Sequence, residues 1–320
     1  MEQYSFNLIY SDEENDMKVF MTGTTGHAGS VALDHFVNEG HEVFALVRPH
    51  HIPNLVKRKR VNWIAGDFAD AEIINDTAAL TDAAVHIGAS HDNEMEQLDA
   101  NAIAAIADAF NQSGKVFVST SADIVYGDTG LTPRDEHEPI ENPPPLRAWR
   151  ARHDLEVVAL SESGIRGVVL RPGLIYGRAG GWLSGLILRA QQTGISRYIG
   201  EGLNLTSTIH VDALADLYLK AVINESAAGI YNAASDEVVC SRDTAHLISK
   251  YYGAGIKAMS WPIEEAREAL GDLADLSLIE CIVSSNRARS ELSWYPVAQS
   301  LTSELASGSY RKGPLIPYHM

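Results

Sequence analysis

An octapeptide near the N-terminus, Thr22-Gly23-Thr24-Thr25-Gly26-His27-Ala28-Gly29, constrains this chain more than any other segment. It follows the apolar run Lys18-Val19-Phe20-Met21 and precedes a stretch whose apolar side carries Val31, Leu33, Phe36 and Val37. Strand, glycine-rich turn and helix in that order give the glycine spacing a physical meaning. Gly23 permits the tight turn, Gly26 lets backbone amides approach a pyrophosphate, and Gly29 allows close helix–strand packing, with Thr25 inside the loop. The helix N-terminus adds positive potential, so a dinucleotide is the expected ligand.

Beyond the loop, short β-branched runs alternate with amphipathic stretches, which predicts βαβ units and a parallel sheet. Strands are expected at 18–21, 42–47, 61–65, 84–89, 115–119 and 167–170, with an alanine-rich helix over 94–111. The prolines from Pro139 to Pro145 demand an extended segment that delivers the chain to a helix near Arg147. The fold class is therefore α/β, a Rossmann-type doubly wound parallel sheet with its ligand crevice at the carboxyl ends of the strands. Residues 1–16 read as a loosely held acidic extension and 17–172 as the nucleotide-binding domain. Residues 173–320 read as a smaller, mainly helical substrate lobe, with parts of 205–235 returning to the first domain.

Composition excludes several functions. With 25 basic against 42 acidic residues the formal charge is −17, which repels nucleic acid and anionic lipid. Two cysteines make neither a disulfide framework nor a zinc site, so no metal is expected. No stretch approaches the roughly 20 apolar residues of a membrane span, and no secretory signal opens the chain. The expected setting is the cytoplasm and the expected partner a small-molecule substrate.

The end of the second strand bears on the cofactor. A carboxylate there would grip the ribose hydroxyl of NAD(H), but the chain has Val47-Arg48-Pro49. An arginine fork suits a 2′-phosphate, so NADP(H) is preferred over NAD(H), with Arg48 its reader. The basic run Lys57 to Arg60 reads as a solvated helix face that adds to the same field.

These motifs resemble the extended short-chain dehydrogenase/reductases, the NAD(P)-dependent epimerase/dehydratase-like superfamily. The glycine loop is similar to its TGxxGxxG signature. Gly66-Asp67-Phe68, Val118 to Gly127, Leu170 to Gly177, His210 to Ala215 and Arg287 to Pro296 resemble its later motifs, in the family's order over about residues 17–310. The resemblance implies a nicotinamide cofactor, with Asp67 and Phe68 at the adenine, His27 over the phosphates and Pro172 on the nicotinamide side. Ala89 and Thr120, at the ends of strands four and five, join the cofactor set. It also implies a homodimer through the helices after Glu94 and from Arg147, against which the charge of the latter helix counts.

One departure matters more than the agreement. The family's reductases use Tyr-x-x-x-Lys after strand five, yet no tyrosine or lysine lies between Gly127 and Ile175. Depending on register the pair becomes Ala148/Arg152, Trp149/His153 or Arg150/Asp154, and counting back from Gly164 favours Arg150 in the tyrosine place, similar to atypical subgroups of the family. Ser121 is the candidate hydroxyl for a substrate carbonyl, although a count back from Tyr126 lands on Ala122. Asp123 reads as a helix cap, or as a proton donor if burial raises its pKa. Arg150 and His153 read either as an anion or carbonyl clamp or as a charged face, with Arg150–Asp154 and Arg152–Glu156 pairs at i,i+4. Three functions compete. The first is NADP(H)-dependent reduction of a small carbonyl, imine or enone compound with a non-standard proton donor. The others are a cofactor-retaining epimerase, isomerase or cyclase, and a non-catalytic NADP(H) sensor.

Overall fold

The computed structural model describes residues 16–54, 56–88 and 94–317. The first half alternates β1 (Lys18–Thr22), α1 (His27–Asn38), β2 (Glu42–Val47), β3 (Val61–Ala65), α2 (Ala71–Ala79), β4 (Ala83–His86), α3 (Met95–Phe110), β5 (Val116–Thr120), α4 (Ala148–Ala159) and β6 (Arg166–Pro172). The second half adds β7 (Leu174–Tyr176), α5 (Gly181–Thr193), β8 (Ile195–Ile199), β9 (Leu205–His210), α6 (Val211–Ile223), β10 (Gly229–Ala233), β11 (Val238–Cys240) and α7 (Ser241–Tyr251). It ends with β12 (Lys257–Trp261), α8 (Ile263–Leu270), α9 (Asp272–Leu276), α10 (Asn286–Leu292), α11 (Leu301–Ser307) and α12 (Ser309–Lys312).

The main sheet has seven strands in the order β10-β6-β5-β4-β1-β2-β3, and every pairing in it is parallel. Such a sheet must be covered on both faces, and the side-chain period of two decides which residue goes where. Val19 and Met21 of β1, Val116 and Val118 of β5, and Val168 and Leu170 of β6 pack with Leu33 and Phe36 of α1 and Leu214 and Leu217 of α6. The intervening Phe20, Phe117 and Val169 face the other way, onto Ile74 of α2, Ile106 and Phe110 of α3 and Val157 of α4. Trp294, fully buried, packs in the first of these layers and donates its indole N–H to the Ala213 carbonyl at 2.9 Å.

Strands β2 and β3 have the expected bounds, because each is an apolar run closed by turn residues. Past Pro172 the structure is richer in strand than the sequence pattern suggests. Besides β10, it forms a sheet in the order β11-β9-β7 and a β12-β8 pair, all of short strands. The run from Lys57 to Arg60 is not on a helix; Arg58 pairs with Asp34 and Arg60 with Asp16. The proposed extension, apart from Asp16, lies outside the described residues.

Helix α4 is brought unusually close to the sheet at one point. A Cβ added to Gly167 of β6 would stand 2.0 Å from the Val157 carbonyl oxygen of α4. Gly167→Ala is therefore expected to push α4 outward and to lower stability by about 1–3 kcal/mol, as overpacking does. Urea unfolding of the variant checks this, and unchanged stability would contradict it.

Candidate functional site

At the carboxyl end of β1 the chain turns through Gly23, whose φ of +71° is left-handed. A Cβ there would lie 2.4 Å from the Gly88 amide nitrogen, beyond β4. A Cβ on Gly29 would lie 2.1 Å from the Gly23 carbonyl oxygen, so α1 can start against the turn only with glycine at that place. Gly26 is the N-cap of α1, makes no side-chain cap bond, and is followed by no acidic residue in the first turn. Thr25 and Gly26 are exposed, while the neighbouring Thr24 hydroxyl is buried with no hydrogen-bond partner among the described residues. A bare helix N-terminus, a backbone cradle and an orphaned hydroxyl fit a pyrophosphate. The sequence reading passed over Thr24, since nothing in the glycine spacing marks its side chain.

At one flank, Arg48 leaves the end of β2 with 55% of its side chain exposed and its Nε 3.9 Å from Asp67. Asp67 accepts the Phe68 backbone N–H at 2.6 Å, and the Phe68 ring covers Gly88 and meets His86 edge-on at 5.2 Å. The structure thus brings Arg48, Asp67 and Phe68 to one side of the glycine loop. Ala89 lies outside the described residues, and β4 ends at His86 rather than there. His27, the first residue of α1, reaches toward the segment after β7. Its Nε2 stands 2.9 Å from the Gly177 carbonyl, and its ring packs on Gly180 and Gly181, with burial lowering its pKa.

On the other flank the helix faces differ from the i,i+4 pattern. Asp154 pairs with Arg171 of β6 at 2.8 Å and accepts the Ser121 hydroxyl at 3.0 Å, all three buried. Arg152 pairs with Glu96 of α3, not with Glu156. The reason is tertiary: Asp154 is buried against the sheet, where Arg171 and, less strongly, Arg150 offset its burial. The Arg171 guanidinium also lies 4.8 Å from the Tyr126 ring centre. Arg150 donates to the Thr120 carbonyl at 3.1 Å and stacks on Trp149 at 4.4 Å. The Thr120 hydroxyl is engaged by Tyr218 at 2.7 Å, and Pro172 closes β6 beside Ala233 of β10.

Asp123 is not a cap. The cap position of its short 3-10 turn is Ala122, and no side chain caps it. Asp123 is 4% exposed, one carboxyl oxygen has no hydrogen-bond partner among the described residues, and burial raises its pKa well above the usual range. His153 is buried against α3. Its Nδ1 lies 2.7 Å from Asp99, whose other oxygen lies 3.0 Å from His86 Nε2, and His86 Nδ1 lies 2.8 Å from the Thr22 hydroxyl. Hydrogen bonds from His153 and His86 outweigh burial and hold the Asp99 carboxyl well below the ordinary range. Among the described residues no cluster suited to a metal ion occurs, and no helix is long and apolar enough to cross a membrane.

The family model described as NAD dependent epimerase/dehydratase family matches residues 19–234. An uncharacterized Schizosaccharomyces pombe protein is 28% identical, over 92% of this chain and 100% of its own. The 2-alkyl-3-oxoalkanoate reductase of Stenotrophomonas maltophilia is 27% identical over 62% of this chain and 63% of its own. Among solved structures, a Thermotoga maritima UDP-glucose 4-epimerase with UDP-glucose superposes with a TM-score of 0.76 at 17% identity, covering 92% of this chain and 97% of that one.

The depressed pKa of Asp99 has a signed consequence. Its carboxylate adds stability that is full above about pH 4 and is lost as pH falls through the lowered value. Asp99→Asn is expected to cost about 2 kcal/mol at neutral pH, with the gap to wild type narrowing on acidification. Urea unfolding at two pH values measures it; a gap independent of pH would contradict the assignment.

Proposed function

The chain belongs to the NAD dependent epimerase/dehydratase family, and within it we propose that the protein is an NADP(H)-dependent reductase of a small carbonyl, imine or enone compound. The observation that carries this reading is the pair Arg150 and Asp154 on the helix after β5. A guanidinium keeps its proton at every physiological pH, so Arg150 cannot take one from an alcohol. It is suited instead to the negative charge that appears on oxygen when hydride adds to a carbonyl carbon. Asp154 is committed to Arg171 and Ser121 and leaves no free base behind it. A reaction that must begin by oxidising an alcohol is poorly served by these residues; reduction of an activated electrophile is well served.

Bound nicotinamide supplies the hydride. Asp123, whose carboxyl pKa burial raises, is the proposed donor of the proton that completes the alcohol, two residues beyond Ser121. Arg48, largely exposed and loosely placed against Asp67, supports a 2′-phosphate and therefore NADP(H).

The cofactor assignment is tested by titration with NADPH and NADH. Arg48→Ala is expected to weaken NADPH by about 10- to 100-fold, as loss of a charge-assisted contact does, and to leave NADH nearly unchanged. Equal loss for both would remove the 2′-phosphate assignment. With a carbonyl panel, NADPH should disappear in step with alcohol formation, and product formation at constant nicotinamide absorbance would point to an epimerase instead. For Asp123 the acid is the active form and its folded pKa is raised. The rate of the wild type should therefore hold at low pH and fall as pH rises through that raised value. Asp123→Asn should lower kcat by about 10²- to 10⁴-fold and lose the alkaline fall. An unchanged profile would exclude Asp123 as the donor.

A further inference from the structure

A cleft of about 580 Å³ lies between the turn after β5, the proline-rich segment and α9. A cavity of this size is in the range that holds small organic ligands. Two of its walls are close along the chain to residues of the proposed site. Tyr126 and Gly127 follow Ser121 and Asp123 on one wall, and Pro145 and Leu146 on another run into α4, which carries Arg150. Apolar lining comes from Tyr126, Leu146, Leu276 and Ile279.

The charges on the lining are one-sided. Asp128, Glu141, Asp272 and Asp275 contribute four carboxylates against the single guanidinium of Arg134. The chain as a whole has 42 acidic to 25 basic residues, so the lining is more acidic than the chain's average. Its cations are also taken. Arg134 is paired with Glu138, and Arg267, which reaches Asp275, also pairs with Glu264. Glu141 and Asp272 have no ion-pair partner within 4 Å among the described residues. A phosphate or carboxylate ligand would find no uncommitted cation on this lining and a net negative charge around it, since Arg267 offsets Asp275 and Arg134 is shared by Glu138 and Glu141.

We propose that this cleft receives an apolar organic cation, the body of a carbonyl or iminium substrate bearing a protonated amine or quaternary ammonium group. The apolar walls bury the body, the carboxylates at the rim hold the positive end, and anionic diphosphate-linked substrates are repelled. The kind of reacting group rests on the reductase reading; the charge selection does not, and is read by binding alone.

Three matched aldehydes serve as probes: para-trimethylammonio-, para-tert-butyl- and para-carboxy-benzaldehyde. The first two have nearly the same shape and differ in charge. Calorimetry with the full chain in excess NADP⁺ should give binding of the cation about tenfold tighter than that of the neutral isostere, with the carboxylate weakest, since each exposed pair contributes modestly. Raising ionic strength to about 0.5 M should weaken the cation selectively. In the double variant Glu141→Gln/Asp272→Asn, two exposed positions, the cation's preference should shrink to within about threefold. A cation that binds no tighter than its isostere, that fails to bind, or that keeps its preference in the double variant overturns the proposal. NADPH consumption by the same probes is scored separately. Selective cation binding without turnover supports the cleft assignment and removes the reductase reading.

Discussion

The buried pair of Asp154 and Arg171 fixes what the rest of the site can be. An ion pair 2% and 4% exposed survives only if its geometry and its extra hydrogen bonds offset the loss of water around both charges. Here Ser121 supplies one such bond and the face of the Tyr126 ring lies against the guanidinium. Through these contacts β5, β6 and α4 are tied at the carboxyl end of the sheet, where the crevice opens. The same pair uses up the position four residues beyond Arg150. A lysine there would set a second cation against Arg171 and remove the carboxylate that pairs with it.

Two further constraints complete the frame. The glycine loop closes only because Gly23 and Gly29 lack side chains, so the backbone rather than any side chain shapes the anion cradle. The chain from Thr22 through His86 and Asp99 to His153 joins β1, β4, α3 and α4 beneath it. Its hydrogen bonds can all be satisfied with both rings neutral and Asp99 ionised: the Thr22 hydroxyl donates to His86, and His86 and His153 each donate to Asp99. This leaves His153 as a tie within the layer, and Arg150 as the cation of α4 left at the crevice end of β5, with one N–H on the Thr120 carbonyl.

Much of this was open to reading from the residues. The glycine loop was, because each glycine answers a separate backbone demand, and so were the strands whose apolar runs end in turn residues. Arg150 and Ser121 stood out as candidates by chain position relative to β5, whereas Asp123 read first as a cap, which the structure does not make it. What the sequence hid was tertiary. Asp154 had an obvious partner four residues back and took one on another strand instead. His153 gave no sign of Asp99, which is 54 residues earlier. The strands past Pro172 are three to six residues long, too short for periodicity to reveal. The acidic cleft joins segments near residues 126–146 and 272–279, whose approach no local pattern announces.

In the proposed reading the chemistry turns on Arg150, a permanent cation at the place where the family resemblance puts a tyrosine. Such a group stabilises developing negative charge without exchanging protons, which suits reduction and leaves proton delivery to a neighbour. Single-turnover reduction of an activated ketone by the NADPH-loaded wild type and by Arg150→Ala tests this most directly. The account expects the hydride step to slow by about 10²- to 10³-fold, as when an oxyanion donor is removed, with NADPH affinity within about twofold of wild type. An unchanged hydride step in the variant would contradict the account.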